Sequence, residues 1–246
     1  LNVMAAIDGQ TSLAFGNVVG SNVANISLVL GLSALFAPLM INSRIIRLEL
    51  PWLIAVTLAF LLVALLPPGV EDKSGYNRID GFILLLGAAL ICIQWLRRGE
   101  EHASDSLATE SSTDVETGKD EQPKSAFLAL VLFLLGLAFL LAGGKATEEG
   151  AVAIAHHLGV AELVVGLTIV AIATTLPEIF TCVIATRRGH ADLAVGTVVG
   201  SNLFNIVLVM GITSMVHPVA VPTNGWWSLG AMVFFTLLLL PLARSE

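Results

Sequence analysis

The hydrophobic positions of this chain are grouped in long runs that short polar segments separate. A membrane-spanning helix needs about 20 mostly apolar residues, and seven segments meet that requirement by eye. They cover approximately residues 16–38, 48–67, 79–96, 126–144, 161–186, 195–217 and 225–242. The fourth run contains no proline, and its helix is predicted to continue to about His157. The pattern predicts an all-α polytopic membrane protein.

The composition agrees with this fold class. Hydrophobic residues make up 56% of the 246 residues and charged residues 13%, with a mean hydropathy of +0.87. Ordinary soluble domains carry about 25% charged residues. The net charge of −7 is a local feature, because 8 of the 19 carboxylates lie between Arg97 and Lys124. It therefore gives no indication of nucleic-acid binding. Cys92 and Cys182 each stand alone in an apolar run, which argues against a disulfide framework or a thiolate metal site.

The distribution of basic residues predicts the orientation of the spans. Nine of the twelve Lys and Arg residues fall on one side of the predicted topology and three on the other. The richer side, which holds residues 97–124, is predicted to be cytoplasmic. That segment is rich in Glu, Asp, Ser and Thr, so we expect a disordered linker there. The expected organisation is a first transmembrane repeat (1–96), the linker (97–124) and a second transmembrane repeat (125–246).

An internal repeat is the strongest signal in the sequence. Residues 16–39 and 196–219 align at a fixed offset of 180, with identity at 12 of 24 positions. Both copies contain Gly-Ser-Asn-x-x-Asn, which generic hydrophobicity does not explain. Five predicted spans separate equivalent points of the copies, so the copies cross the membrane in opposite directions. Inverted repeats of this kind are typical of transporters, with the substrate site near the midplane.

The same offset leads to an expectation about the length of the protein. The partner of Glu178 would fall three residues before Leu1. We therefore expect a fragment of a longer protein, lacking about two spans at the amino-terminal end and one at the carboxy-terminal end.

Glu178 is the candidate functional carboxylate. It lies deep in an apolar run, where an ionisable residue usually lines a polar cavity. Thr174 and Thr175 precede it by four and three residues, so their hydroxyls share its helical face. Pro177 cannot donate a backbone hydrogen bond, and we expect it to break the helix locally and to free the carbonyl near Ala173.

The two Gly-Ser-Asn segments supply further oxygen donors. Ser21 and Asn25, like Ser201 and Asn205, are four residues apart and share a helical face. Carboxylate, hydroxyl and carbonyl oxygens suit a hard cation such as Ca²⁺ or Na⁺. Close helix packing is the competing interpretation for the serines, and also for Asn22 and Asn202, because glycines four residues apart precede them.

These motifs resemble a known family. The segments VGLTIVAIATTLPE (165–178), GTVVGSNLFNI (196–206) and GNVVGSNVANI (16–26) are similar to the α-repeats of the calcium/cation antiporter superfamily. The resemblance is greatest to the prokaryotic sodium/calcium exchangers, which are similar to K⁺-dependent Na⁺/Ca²⁺ exchangers. It implies ten spans, of which about seven are present, and a location in the bacterial inner (plasma) membrane.

The resemblance also implies a function and a set of ligands. The resemblance implies an antiporter that exports Ca²⁺ in exchange for Na⁺ or H⁺ by alternating access. We expect no cofactor and no obligatory protein partner. Glu178 is implied as a principal Ca²⁺ ligand, and Ser21 and Ser201 as Na⁺ ligands. The complete expected set is Glu178, Thr174, Thr175, Asn25, Asn205, Ser21, Ser201 and Ala171. Many relatives carry Asp at the position of Asn205, which leaves the choice between Na⁺ and H⁺ open.

Several other functions are compatible with parts of this pattern. A passive cation pore could use the same polar residues, but it would not need inverted, interrupted helices. A cation/proton exchanger for another divalent ion and a truncated, non-transporting membrane subunit remain alternatives. An intramembrane enzyme is not supported, because the sequence contains neither His-Glu-x-x-His nor Gly-x-Ser-x-Gly.

Overall fold

The computed structural model of the chain describes residues 1–39, 45–66, 74–109 and 126–243. Helices make up almost all of this part, and it contains four π-helical segments that are continuous with α-helices. The α-helices are α1 (Asn2–Ile7), α2 (Thr11–Ala24), α3 (Leu30–Phe36), α4 (Leu50–Leu65), α5 (Arg78–Thr109), α6 (Ala126–Leu158), α7 (Glu162–Val165), α8 (Ala171–Arg187), α9 (Ala191–Phe204), α10 (Gly211–Val216) and α11 (Gly225–Ala243). The π-helical segments are π1 (Asn25–Val29), π2 (Ile45–Glu49), π3 (Gly166–Val170) and π4 (Asn205–Met210).

The helices confirm the predicted class of an all-α integral membrane protein. Six continuous helical stretches in the described part are long and apolar enough to span a bilayer. They are Thr11–Phe36, Ile45–Leu65, Arg78–Arg97, Glu162–Arg187, Ala191–Val216 and Gly225–Leu242. Helix α6 covers the remaining predicted segment and continues past His157, as expected from the absence of proline. Many large apolar side chains of α5, among them Phe82 and Leu90, are exposed, as expected of side chains that face acyl chains.

The predicted disordered linker differs in part from the structure. Helix α5 continues beyond the apolar segment to Thr109, so residues 97–109 are helical. The polar composition of this segment predicts that it builds no core, but it does not prevent a helix, because adding residues to an existing helix avoids the cost of nucleation. Residues 110–125, together with Arg44, Lys73 and Arg244 of the charge analysis, lie outside the described residues.

The internal repeat is present in the structure as well as in the sequence. Helix α2, segment π1 and helix α3 form one continuous stretch, and α9, π4 and α10 form its counterpart. The two stretches begin at Thr11 and Ala191, which are 180 residues apart. Each follows a turn with a glycine at positive φ, Gly9 at 78° and Gly189 at 85°, also 180 apart. A left-handed residue directly after a helix favours glycine, which has no Cβ to clash.

Contacts between the ends of the spans agree with an alternating up-and-down topology. Strand β1 (Gly75–Tyr76), which follows α4, pairs antiparallel with β2 (Val219–Ala220), which follows α10. At the opposite end of the bundle, the guanidinium of Arg187 lies 5.6 Å from the ring centroid of Phe36. Both pairs join segments that the predicted topology places on the same side of the membrane.

The first repeat crosses the segment before α8 with backbone in contact with backbone. A Cβ atom added to Gly16 would lie 2.8 Å from the carbonyl oxygen of Leu163, and one added to Gly20 would lie 2.7 Å from that of Leu167. A Cβ on Gly166 would lie 2.7 Å from the carbonyl oxygen of Leu13. Small residues are enriched where membrane helices approach this closely. This crossing brings the polar face of α2 against α8.

Candidate cation-binding site

A polar cavity of about 210 Å³ lies where the two repeats meet. Its walls come from α1, from α2 and π1 of the first repeat, and from α8 and π4 of the second. The lining residues are Leu1, Asn2, Asn17, Ser21, Asn25, Thr174, Thr175, Glu178, Asn205 and Val209. Eight of these ten carry a side-chain oxygen, so the polar groups are concentrated here.

Six of the eight predicted ligands line this cavity. Glu178, Thr174 and Thr175 come from α8, whereas Ser21, Asn25 and Asn205 come from the two Gly-Ser-Asn segments. Ser201 and Ala171 are not among the lining residues. Ser201 is half-buried one turn before Asn205. Ala171 is fully buried, and its carbonyl oxygen accepts a hydrogen bond from Thr174 Oγ1 at 3.0 Å.

Helix α8 presents the carboxylate without the expected break. Pro177 lies inside the helix, which is continuous from Ala171 to Arg187. Proline removes one intrahelical hydrogen bond, and the rest of the helix retains its own. The prediction of a local break at Pro177 is therefore wrong. The irregular turn lies upstream instead, in π3, directly before the turn that carries Thr174.

Asn25 and Asn205 occupy equivalent places in the two repeats. Each is the first residue of a π-helical segment, π1 and π4 respectively. Such segments insert an extra residue into the helical turn, and they often occur at functional sites. Because the repeats are inverted, the two asparagines approach the same cavity from helices that run in opposite directions.

A pair of amide hydrogen bonds joins the two repeats beside the cavity. Asn25 Nδ2 donates to Asn202 Oδ1 at 2.9 Å, and Asn202 Nδ2 donates to the backbone oxygen of Asn22 at 3.2 Å. Asn22 Nδ2 donates to Val18 O at 2.8 Å within its own helix. Neither Asn22 nor Asn202 lines the cavity. Their contacts fit the packing interpretation considered for them.

Two oxygen atoms of the site are buried without a hydrogen-bond partner among the described residues. They are Oε2 of Glu178 and Oδ1 of Asn25. A buried polar atom without a partner costs about 1–3 kcal/mol, and such atoms are rare in folded proteins. Asn25 Nδ2 donates to Asn202, and Asn25 Oδ1, which as an amide oxygen can only accept, is left for another partner. Each of these oxygens can accept a hydrogen bond or coordinate a cation in the cavity.

The structure adds two residues that the sequence analysis missed. Asn17 Nδ2 donates to Asn2 Oδ1 at 2.7 Å, and both side chains are 7% exposed. Asn17 Oδ1 accepts from Ser21 Oγ at 3.3 Å and from Thr174 Oγ1 at 3.2 Å. Asn17 precedes Ser21 by four residues, a spacing that indicates the same helical face and could have revealed it. Asn2 lies on another helix, and no local pattern indicates it.

The donor set is that of a hard cation. Among the lining residues Glu178 is the one carboxylate, accompanied by amide and hydroxyl oxygens, and none is His or Cys. Across the described ranges no group of three or more His, Cys, Asp and Glu residues could hold a metal ion. A site of this kind suits ions such as Na⁺ and Ca²⁺, which bind neutral oxygen ligands well. Zinc and copper favour imidazole and thiolate.

Comparison with known proteins agrees with the site chemistry. Residues 1–95 and 128–244 match the family model described as "Sodium/calcium exchanger protein". The chain is 37% identical over 219 residues to the putative antiporter CaxA of Alkalimonas amylolytica, which covers 89% of this chain and 65% of that protein. It is 33% identical over 223 residues to the inner membrane protein YrbG of Escherichia coli, covering 89% of the chain and 64% of YrbG.

Two further similarities concern proteins whose names include sodium/calcium exchange. The chain is 26% identical over 262 residues to the sodium/calcium exchanger MaX1 of Methanosarcina acetivorans, covering 97% of the chain and 75% of that protein. A structure of the sodium-calcium exchanger NCX_Mj, soaked with Na⁺ and Sr²⁺, superposes with a TM-score of 0.64 at 27% identity. That superposition covers 100% of this chain and 73% of the exchanger.

The chain thus spans just under two thirds of the length of CaxA and of YrbG. The family model nevertheless matches both transmembrane repeats, including every residue that lines the cavity. The matched segments are also the ones that carry the Gly-Ser-Asn repeats and Glu178. The chain is therefore a member of the sodium/calcium exchanger family.

Proposed function

We propose that the protein containing this chain is a secondary active antiporter that exchanges Ca²⁺ for Na⁺ across the membrane by alternating access. The observation that carries the proposal is the pair of buried, unpartnered oxygens, Glu178 Oε2 and Asn25 Oδ1, in one polar cavity. Both atoms can coordinate a cation, and together they place a carboxylate oxygen and an amide oxygen in the same polar cavity. The names of MaX1 and NCX_Mj support sodium and calcium as the exchanged ions.

The proposed ligands divide according to the charge of the ion. Glu178 supplies the negative charge that makes Ca²⁺ binding favourable, and Asn25 and Asn205 add neutral amide oxygens. The hydroxyls of Ser21, Thr174 and Thr175 are suited to Na⁺, which needs less charge compensation. Since Na⁺ and Ca²⁺ would share lining residues, binding of one ion weakens binding of the other, as antiport requires.

Inversion of the repeats supplies the proposed mechanism of access. The two Gly-Ser-Asn stretches approach the cavity from opposite sides of the membrane, so a movement of one against the other closes one entrance and opens the other. The π-helical turns at Asn25 and Asn205 and the turns at Gly9 and Gly189 are the irregular positions at which the backbone can bend. The bound ion crosses the membrane because the entrance changes while the ion stays in place.

The remaining assignments belong to the same proposal. The protein is a transporter rather than an enzyme, it works without a cofactor, and its expected location is the bacterial inner membrane. The side that carries residues 97–124 faces the cytoplasm. Coupling to H⁺ instead of Na⁺ is the second candidate, because the family resemblance implies that Asn205 replaces an Asp of many relatives.

The test is uptake of radioactive calcium into proteoliposomes that contain the full-length protein. Vesicles loaded with Na⁺ are diluted into Na⁺-free buffer, and a parallel set carries a pH gradient without a Na⁺ gradient. Protein-free vesicles and vesicles without either gradient serve as controls. Uptake that requires the Na⁺ gradient is the expected result. Uptake in vesicles without any gradient would indicate a passive pore.

The other outcomes are equally informative. Uptake driven by the pH gradient alone would reassign the protein to cation/proton exchange. No uptake in either set, by protein shown to be correctly inserted, would contradict calcium transport. That result would favour another divalent ion or a subunit that does not transport.

A further inference from the structure

A network of four polar side chains holds one wall of the cavity together. Asn17 is its centre: it donates to Asn2 and accepts from the hydroxyls of Ser21 and Thr174. Ser21 Oγ and Thr174 Oγ1 also lie 3.2 Å from each other. The network joins α1, α2 and α8, and all four residues line the cavity.

The direction of these hydrogen bonds determines what the hydroxyls can offer an ion. Because Asn17 Nδ2 donates to Asn2, Asn17 Oδ1 faces the two hydroxyls and accepts a hydrogen bond from each. A hydroxyl that donates its hydrogen to another group keeps both oxygen lone pairs available for an ion. Thr174 has a second acceptor in Ala171 O at 3.0 Å. For Ser21, the only acceptor in the network other than the Thr174 hydroxyl is Asn17.

If the Asn17 side-chain oxygen is removed, the Ser21 hydroxyl therefore has to donate its hydrogen bond to another acceptor. Within the network the remaining acceptor is Thr174 Oγ1 at 3.2 Å, and a bond to it would occupy one of the lone pairs of that hydroxyl. One missing acceptor thus impairs two proposed ligands. The carboxylate of Glu178 does not take part in this network, so the main determinant of Ca²⁺ binding is unaffected.

This arrangement belongs to one half of the site. At the repeat offset of 180, Asn2 corresponds to Cys182 and Asn17 corresponds to Thr197. The Cys182 thiol contacts Ala194 O, and the Thr197 hydroxyl donates to Leu193 O. Neither residue offers an amide that can donate and accept at once. The two repeats therefore differ in the residues that precede Ser21 and Ser201 by one helical turn.

We propose that Asn17 is a positioning residue that sets the affinity of the site for Na⁺, an inference that rests on the proposed function. Asn17 Oδ1 accepts hydrogen bonds from the hydroxyls of Ser21 and Thr174, and Asn2 holds the Asn17 amide in the orientation that these hydrogen bonds require. The oxygens of both hydroxyls are thereby kept as acceptors toward the cavity. Selectivity between Na⁺ and Ca²⁺ depends on this orientation because Ca²⁺ binding draws chiefly on the carboxylate.

The experiment compares Asn17→Leu, which removes the acceptor at similar volume, with Asn17→Asp, which keeps an oxygen acceptor. Two quantities are measured in the full-length protein: the apparent KM values for Na⁺ and Ca²⁺ in proteoliposomes, and the shift of the melting midpoint that NaCl produces in detergent, relative to choline chloride. Ser27→Ala is the matched control on the same helical stretch. The Ser27 hydroxyl donates to Val23 O and does not line the cavity.

We expect Asn17→Leu to raise the KM for Na⁺ about five- to tenfold, the effect of one lost hydrogen bond, with a smaller change in the KM for Ca²⁺ and in kcat. It should also reduce the NaCl-dependent shift of the melting midpoint. Asn17→Asp should retain most of the Na⁺ response, because the Asn2 amide can rotate to donate to the new carboxylate. Asn2→Leu should change the Na⁺ response in the same direction as Asn17→Leu but less.

The outcomes separate this inference from the proposed function. If the wild type exchanges ions and Asn17→Leu keeps its KM for Na⁺, the inference is wrong and the function stands. Equal losses in Asn17→Leu and Asn17→Asp, for both ions, would also overturn it, since they would indicate a purely structural role. If the wild type does not transport, NaCl-dependent stabilisation that Asn17→Leu abolishes still supports the inference, and a shift equal in both proteins refutes it. If Asn17→Leu does not fold, Asn2→Leu decides by the same criteria.

Discussion

Gly20 occupies one of the two tightest glycine contacts between the first repeat and the segment before α8. In Gly20→Ala the new Cβ would lie 2.7 Å from Leu167 O and 2.8 Å from Ala171 Cβ. Ordinary van der Waals contact begins at 3.4 Å, so the helices have to separate by about 0.7 Å, the difference between 3.4 and 2.7 Å. One contact is with backbone, which cannot turn aside as a long side chain can.

The expected cost follows from this separation. Overpacking of a tight contact costs about 1–3 kcal/mol, whereas replacing Gly by Ala in a helix returns up to about 1 kcal/mol. We therefore expect a net loss of about 1–2 kcal/mol in the free energy of unfolding. In a protein of this size that corresponds to a melting midpoint lower by about 2–4 °C for each kcal/mol.

The same displacement reaches the cavity. Ser21 follows Gly20 directly, and its hydroxyl lies 3.2 Å from Thr174 Oγ1. A shift of the expected size away from α8 lengthens that contact beyond hydrogen-bonding distance. Gly20→Ala should therefore weaken Na⁺-dependent uptake more than its loss of stability alone would do.

The assay is the melting midpoint of purified protein in detergent, combined with calcium uptake into proteoliposomes. Gly230→Ala is the control, because Gly230 lies inside α11 and a Cβ there would meet no heavy atom within 4 Å. The control should melt at the wild-type temperature or slightly above it. If Gly20→Ala melts as high as Gly230→Ala, the backbone contact does not limit this helix crossing, and the reasoning fails.

Three further predictions concern individual side chains. Glu178→Gln keeps the size of the side chain and removes its charge, so it should abolish calcium exchange while the amount of protein in the membrane fraction is unchanged. Wild-type uptake by this variant would exclude Glu178 as a principal ligand. Asn205→Asp adds a titratable group to the cavity and should make uptake more dependent on pH; if the Na⁺ and pH dependences both stay as in the wild type, position 205 takes no part in coupling. Burial, and to a lesser extent the charge of Asp80, raises the pKa of the Tyr76 phenol above its ordinary value of 10, so the folded protein favours the neutral form. The stability that Tyr76 contributes is then complete below pH 10 and is lost as the pH rises above 10 toward the folded-state pKa. The phenolate absorbance, measured as the difference between wild type and Tyr76→Phe, should therefore appear only above the pH at which free tyrosine ionises. Ionisation of Tyr76 near pH 10 in the folded protein would contradict this prediction.

Much of the fold was predictable because membrane helices follow hydropathy directly. The internal repeat predicted more of the structure than the spans did. Its offset of 180 residues also relates Gly9 to Gly189, which share a positive φ. The continuation of α5 to Thr109 was not predictable from polarity, because polar composition indicates solvent contact and not the absence of a helix. The prediction of a break at Pro177 was wrong for a related reason. The low helix propensity of one residue does not decide whether a helix continues when that helix is packed against its neighbours.

The candidate site was predictable to the extent that its residues share helical faces. Glu178 with its threonines, and each Ser with the Asn four residues later, follow from spacing alone. Which of these reach a common cavity depends on how the helices cross, so the separation of Ser201 from the cavity lining could not be foreseen. Asn2 illustrates the limit best: it contacts Asn17 from another helix, and a contact of that kind leaves no trace in a single sequence.

The small pairing of β1 with β2 has a mechanical consequence. It fastens the turn after α4 to the turn after α10, with Tyr76 stacked on Phe60 at 4.3 Å and its hydroxyl donating to Phe60 O. Nearby, a Cβ on Gly81 would lie 2.8 Å from Gly211 O, so α5 and α10 are also in backbone contact. Helices clamped at two points cannot slide past each other. In the proposed mechanism this part of the bundle is the static one, and the change of access is carried by the helices that move against it.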